Sequence, residues 1–169
     1  IFLKGSARVD GSSRFGKNNR YGFFPSLGAG YVISEEDFFP NTEVVSFLKI
    51  KASWGITGNA DIPNYQRWGT FQRRDGTDGN PYNQEPIIFP VRLANPDLKW
   101  EVQRTYDVGF ELGLFEDRIT AEFAYFDKNS TDVLIDRLVQ VSTGFERYFE
   151  NIAEINNRGF EISLKTRNL

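Results

Sequence analysis

The chain has 169 residues, 40% of them hydrophobic, and a formal net charge of −3, enough for one domain with a core and a poor match to a dedicated nucleic-acid binder. It contains no Cys, His or Met, which excludes a disulfide scaffold, thiolate metal sites and any histidine acting as general base or metal ligand. A sequence without Met that begins at Ile1, in what reads as mid-strand, is expected to be a fragment of something larger. Aromatics are abundant, with 16 Phe and 7 Tyr. The mean hydropathy is −0.45, no apolar run has the length of a membrane helix, and no signal peptide is present. A β-barrel would pass unseen through that test, because its strands alternate.

Period-two alternation runs along most of the chain. "FLKGSARVD" sets Leu3, Gly5, Ala7 and Val9 against Lys4, Ser6, Arg8 and Asp10. The loop "DGSSRFGKNNR" follows, with turn-forming Gly and Asn around Arg14, Lys17 and Arg20. No helix follows it to present an anion-binding N-terminus, so it reads as a hairpin connection whose cations sit at a rim, beside lipid headgroups or neighbouring loops. "RYGFFPSLGAGYVIS" then alternates Tyr21, Phe23, Pro25, Leu27, Ala29, Tyr31 and Ile33 with small residues. The link 34–46 is expected to hold a short helical turn capped by Ser34, with Glu35, Glu36 and Asp37 in its first turn.

"LKIKASWGITG" gives Leu48, Ile50, Ala52, Trp54 and Ile56 on one face. Residues 59–98 are expected to form a long irregular loop containing Pro63, Pro81, Pro86, Pro90 and Pro96. Lys99 to Phe115 alternates throughout, with Arg104 the one break, and would reach roughly 55 Å at about 3.3 Å per residue. "FEDRI" (115–119) is a tight turn into "RITAEFAYFDK". "DVLIDRLVQV" alternates less cleanly, so 129–157 is expected to be a second long loop before "RGFEISLKT".

In a meander, the loops 11–20, 59–98 and 129–157 fall at one rim and the links 34–46 and 115–118 at the other. Long connections on one rim and short ones on the other are the mark of outer-membrane barrels. Tyr21, Phe23, Tyr31, Trp54, Trp100 and Tyr125 lie near strand ends on the apolar face, where they would form either an interfacial girdle or an ordinary core. The polar face carries Lys4, Arg8, Lys49, Lys51, Glu101, Asp107, Glu111, Glu122, Glu161 and Lys165. These would line a wet lumen in a barrel and face solvent in a sandwich.

Signals for chemistry are weak. Glu35/Glu36/Asp37 read as a helix start and Glu116/Asp117 as a turn, since acid–base work needs a pocket and a tuned pKa. "DGTDGN" (75–80, with Asp75 and Asp78) faintly suggests a calcium loop but lacks the spacing and terminal Glu of an EF-hand. No cofactor site, nucleophile triad or phosphate loop can be built from these residues, so no enzyme is expected. The segment 64–84 is more suggestive: Tyr65, Trp68, Phe71 and Tyr82 interleave with Arg67, Arg73 and Arg74, and "FERYFEN" (145–151) repeats the character with Arg147 and Tyr148. Aromatic faces beside polar donors suit sugar or peptide ligands. The competing reading is that these loops pack on one another.

Segments 8–38, 46–59, 95–134 and 156–166 together resemble the C-terminal barrel portion of the SusC/RagA-like TonB-dependent outer-membrane receptors of Bacteroidota. The resemblance implies an all-β, antiparallel up-and-down transmembrane barrel of roughly 22 strands closed by an N-terminal plug, with residues 1–169 part of that one barrel domain and the plug absent. It further implies import of oligosaccharides or peptides, energised through TonB by a missing N-terminal part, and a SusD-like surface lipoprotein as partner. The loop aromatics would then contact substrate or that lipoprotein. A secreted soluble β-sandwich that binds carbohydrate is the alternative, and a passive porin-like barrel a third.

Overall fold

In the computed structural model, residues 1–40, 43–74 and 86–167 are described. The strands are β1 (Phe2–Gly11), β2 (Tyr21–Val32), β3 (Val45–Asn59), β4 (Thr70–Arg74), β5 (Ile87–Arg92), β6 (Glu101–Leu114), β7 (Ile119–Leu138) and β8 (Arg147–Thr166). All belong to one sheet in the order β1-β2-β3-β6-β7-β8-β5-β4. Every long neighbouring pair is antiparallel, whereas β5 meets β8 in a single parallel step, Arg92 beside Arg147. A sandwich needs a second sheet about 10 Å away, and among the described residues there is none. Among the described residues no helix is long and apolar enough to cross a membrane, a criterion that does not bear on strands.

The pairing register makes the two faces explicit, because directly opposed residues point the same way. Leu27, Trp54, Tyr106, Asp127 and Arg158 form one row across β2, β3, β6, β7 and β8. Among the described residues nothing covers the apolar side: Leu3 is 82% and Ile162 76% exposed. Its aromatics stack sideways instead, Phe110 on Phe123 at 5.5 Å, Phe123 on Phe160 at 5.6 Å and Tyr125 on Phe160 at 5.2 Å. On β6 this face runs from Tyr106 to Leu114, about 26 Å at 3.3 Å per residue, which matches the roughly 25 Å apolar band of an outer-membrane barrel.

The band has a slanted upper edge. The first polar outward residues are Arg158 on β8 and Asp127 beside it on β7. On β6 the change comes one outward position later, at Arg104, while Ile56 at the same level on β3 is still apolar. On β2 the apolar set continues past Leu27 to Tyr21. From Phe160 on β8 to Tyr21 on β2, the last apolar outward residue of each, the edge climbs about 2 residues per strand, roughly 6.6 Å along for each ~4.8 Å across, the slant that tilted strands show against a flat membrane plane.

Three expectations are corrected. The turn after β2 is a 3-10 turn at Ile33–Glu35 whose N-cap is Val32 with no side-chain capping bond, so Ser34 lies inside it and caps nothing. The stretch 59–98 is not wholly irregular, since β4 and β5 form a hairpin within it. The stretch 129–157 is mostly strand: β7 and β8 each have 20 residues and leave only 139–146 between them. Their register shifts around Val133, where Asp132 adopts a left-handed φ of 57°, a β-bulge that bends the projecting end. The turn at 115–118 stands as expected, with Arg118 N donating to Phe115 O at 3.2 Å.

Candidate functional site

The buried core of the described chain lies at the loop end of the sheet. Phe15, Ile62, Leu98 and Phe149 pack together there, with Ala60, Trp100 and Leu134 against them. Four chain segments supply this cluster, and backbone-directed bonds tie them. Gly16 N donates to Leu98 O at 2.9 Å, Asn19 Nδ2 to Asp97 O at 2.9 Å, and Asn95 Nδ2 to Phe149 O at 2.8 Å. Asn151 is a staple: its Nδ2 donates to Lys99 O at 2.9 Å and Asp132 O at 2.8 Å, and its Oδ1 accepts from Lys99 N at 3.0 Å. Asn151→Ala is expected to cost about 2 kcal/mol, because several polar groups lose partners at once. Faster hydrogen exchange at 97–100 and 130–134 in the full-length protein is the check.

The opening loop is the keystone of this cap. Phe15 is fully buried. Arg14 donates from Nη1 to Ala60 O at 2.9 Å and from Nε to Asn64 Oδ1 at 3.0 Å, so it binds a neighbouring loop, and of the three loop cations only Lys17 is exposed. Trp100, for which both a girdle and a core position were open, packs on Phe15 at 5.0 Å and Phe24 at 5.4 Å and donates from Nε1 to Arg20 O at 3.1 Å.

The candidate ligand residues divide. Arg67 donates to Phe15 O at 3.0 Å and lies over the Trp68 ring at 4.7 Å. Arg147 pairs with Asp136 at 3.0 Å, which Arg92 also approaches at 3.4 Å. Tyr148 lies beneath the Arg137 guanidinium at 5.6 Å. Burial pushes its phenol pKa up and the nearby Glu150 carboxylate adds to this, so the ring is a neutral donor at physiological pH. Arg74 lies over Phe89 at 5.3 Å. These side chains hold loops together. Tyr65, Trp68 and Phe71 are different: they are 72%, 57% and 66% exposed. Tyr65 also has a φ of 67°, a conformation unusual for a residue with a Cβ and one that turns its ring outward at some cost. Phe71 and Arg73 share a face of the hairpin with Pro90 and the exposed Ile88. Tyr82 and the 75–80 stretch lie outside the described residues. Among the described residues, no group of three or more Asp or Glu could hold a metal ion.

The sequence reading passed over Asn95 and Asn151. "NPD" at 95–97 carried a usable signal, since Asp97 N donates to Asn95 Oδ1 at 3.1 Å in an Asx turn. On the concave polar face, Lys51 bridges Glu111 at 3.0 Å and Glu122, while Lys49 reaches Glu111 at 3.4 Å. Lys4, Glu161 and Lys165 share that face, and among the described residues they have no partner.

Comparison with known proteins agrees with this architecture. The family model described as "TonB dependent receptor-like, beta-barrel" matches residues 2–167. A TonB-dependent receptor of Formosa agariphila is 37% identical over 162 residues, covering 96% of this chain and 16% of that protein. The TonB-dependent receptor SusC of Bacteroides thetaiotaomicron is 34% identical over 168 residues, covering 95% and 16%. The solved structure of the RagAB peptide importer in its "closed-closed" state matches with a TM-score of 0.85 at 32% identity, over 97% of this chain and 18% of that one. The chain thus spans about a sixth of the curated relatives it matches. On the sequence match and the fold together, the chain belongs to the TonB-dependent receptor-like β-barrel family.

Proposed function

We propose that this chain is a section of the wall, with its attached outer loops, of an outer-membrane importer driven through TonB. The slanted upper edge of the apolar face carries the reading. A soluble sheet has no reason to change polarity along a line inclined to its strands, whereas tilted strands in a flat bilayer must do so. The charged concave face then borders the lumen, where Lys4, Glu161 and Lys165, without partners among the described residues, are available to an internal plug. The loop cap stands outside the cell. Oligosaccharides or peptides are the proposed cargo, a reading supported by family membership and by similarity to a peptide importer and to SusC. A SusD-like surface lipoprotein is the proposed partner at the loop end.

Within the cap, Tyr65, Trp68 and Phe71 are the proposed contacts with cargo or lipoprotein, because they are exposed while their neighbours are engaged in packing. Tyr65→Ala with Trp68→Ala in the full receptor is expected to weaken cargo binding or lipoprotein retention about tenfold, the scale of two aromatic anchors. Calorimetry with a glycan or peptide cargo and co-purification of the lipoprotein are the measurements; if both are unchanged, these residues are not contacts.

A further inference from the structure

Arg104 interrupts the apolar alternation of β6, and Arg158 does the same on β8. Both point to the lipid side of the sheet: Arg104 is level with Ile56, and Arg158 with Trp54 and Tyr106. Each is the first outward residue beyond the last aromatic of the apolar band on its strand, Tyr106 below Arg104 and Phe160 below Arg158. Both are exposed, and among the described residues neither has a hydrogen bond or an ion pair. The nearby carboxylates are occupied by asparagines. Asp127, directly opposite Arg158, accepts from Asn156 Nδ2 at 2.9 Å, and Glu154 accepts from Asn129 Nδ2 at 2.8 Å.

An uncommitted guanidinium just above an aromatic rim lies at the depth of lipid phosphates. The planar fork of arginine suits phosphate oxygens, and the site is drier than bulk water, which strengthens the pairing. Arg104 and Arg158 stand two strands apart and one outward position out of level, about 12 Å between backbones, enough to engage neighbouring headgroups. We propose that Arg104 and Arg158 form an outward-facing site for the phosphate-bearing headgroups of surrounding membrane lipid, fixing the height of this wall in the bilayer. The proposal rests on the apolar face lying in lipid.

The test uses the full-length receptor in nanodiscs made from equal parts phosphatidylcholine and phosphatidylglycerol. After detergent dilution, mass spectrometry reads the ratio of the two retained lipids. Wild type is expected to enrich phosphatidylglycerol. Arg104→Gln with Arg158→Gln is expected to lower that enrichment about fivefold or more, the scale of basic side chains at an anionic surface. Unchanged enrichment overturns the proposal. So does loss of enrichment on adding inorganic phosphate, which would mean the arginines take a free anion and not lipid. Ile162→Cys, placed in both backgrounds and exposed to a membrane-impermeant maleimide, separates the two readings. Rapid labelling refutes the bilayer placement itself, whereas protection with unchanged enrichment refutes the headgroup site alone.

Discussion

Ile162→Lys is expected to destabilise the full receptor in lipid vesicles by about 2–4 kcal/mol, the cost of a cation near the middle of a barrel's lipid face, while Ser163→Lys on the next residue is expected to change stability by less than about 0.5 kcal/mol. Ile162 is opposite Phe123, and Phe123 is opposite Phe110, which lies midway along the outward set from Tyr106 to Leu114. A lysine stem there cannot reach either interface without distortion. Ser163 is opposite Glu122 on the concave face, where a cation would find water and a carboxylate. Urea-dependent folding into vesicles, followed by the heat-resistant mobility of the folded barrel, gives both values. The contrast bears on the environment of the sheet. In water, Ile162, 76% exposed, would accept lysine at no cost, so equal stabilities for the two variants would remove the membrane placement.

The strands were legible where the two faces meet different solvents. Alternation marked β1, β2, β3 and β6 and the first part of β7 because one face is apolar and the other polar, as the wall of a barrel in lipid requires. It failed in the second part of β7 for a physical reason. Above the row of Asp127 and Arg158 both faces carry polar residues, such as Asn129, Thr131, Asn156 and Asn157, so there is no polarity contrast to display, and the bulge at Asp132 shifts the phase. Arg104 looked like a flaw in the pattern and is in fact its edge, visible only once the register placed it one outward position beyond the row of Asp127 and Arg158. Trp100 was assigned outward by extending the β6 alternation past its first residue, Glu101, into a segment that turns to the loop core. The cap itself was illegible, because Phe15, Ile62, Leu98 and Phe149 are joined only by tertiary contact. Of the candidate contacts, sequence put the aromatics and arginines in long loops, whereas Phe71, Arg73 and Arg74 lie on β4 and Arg147 and Tyr148 on β8. It could not say that Arg67, Arg147 and Tyr148 would be used in packing while Tyr65, Trp68 and Phe71 stayed open.

Gly16→Ala is expected to cost about 2–3 kcal/mol through overpacking, and to do so within the loop cap while sparing the barrel. A Cβ on Gly16 would lie 1.9 Å from the carbonyl oxygen of Pro96 and 3.0 Å from its carbonyl carbon. Both atoms are backbone, and Pro96 has little freedom to retreat because its φ is fixed by the ring and Asn95 and Asp97 are tied on either side of it. The glycine is needed for room alone, since its φ lies outside the left-handed region. To admit the methyl group, the 12–20 loop must lift from 95–98, breaking the Gly16 N to Leu98 O bond and withdrawing Phe15 from the core. Gly28→Ala is the matched control: its nearest neighbours would be 3.9 Å from the new Cβ, so only a few tenths of a kcal/mol are expected there. Hydrogen exchange and limited proteolysis should show 12–20, 60–69 and 93–100 opening together in Gly16→Ala, with the heat-resistant barrel band intact. Opening of 12–20 alone would show that the loops are independent; no opening would show that Pro96 can yield. Because Tyr65 and Trp68 are carried on the segment that Arg14 and Arg67 bind to this loop, Gly16→Ala should also weaken the proposed cargo or lipoprotein contact without touching an exposed aromatic. An intact contact in an opened cap would mean that the aromatics act from a loop that positions itself.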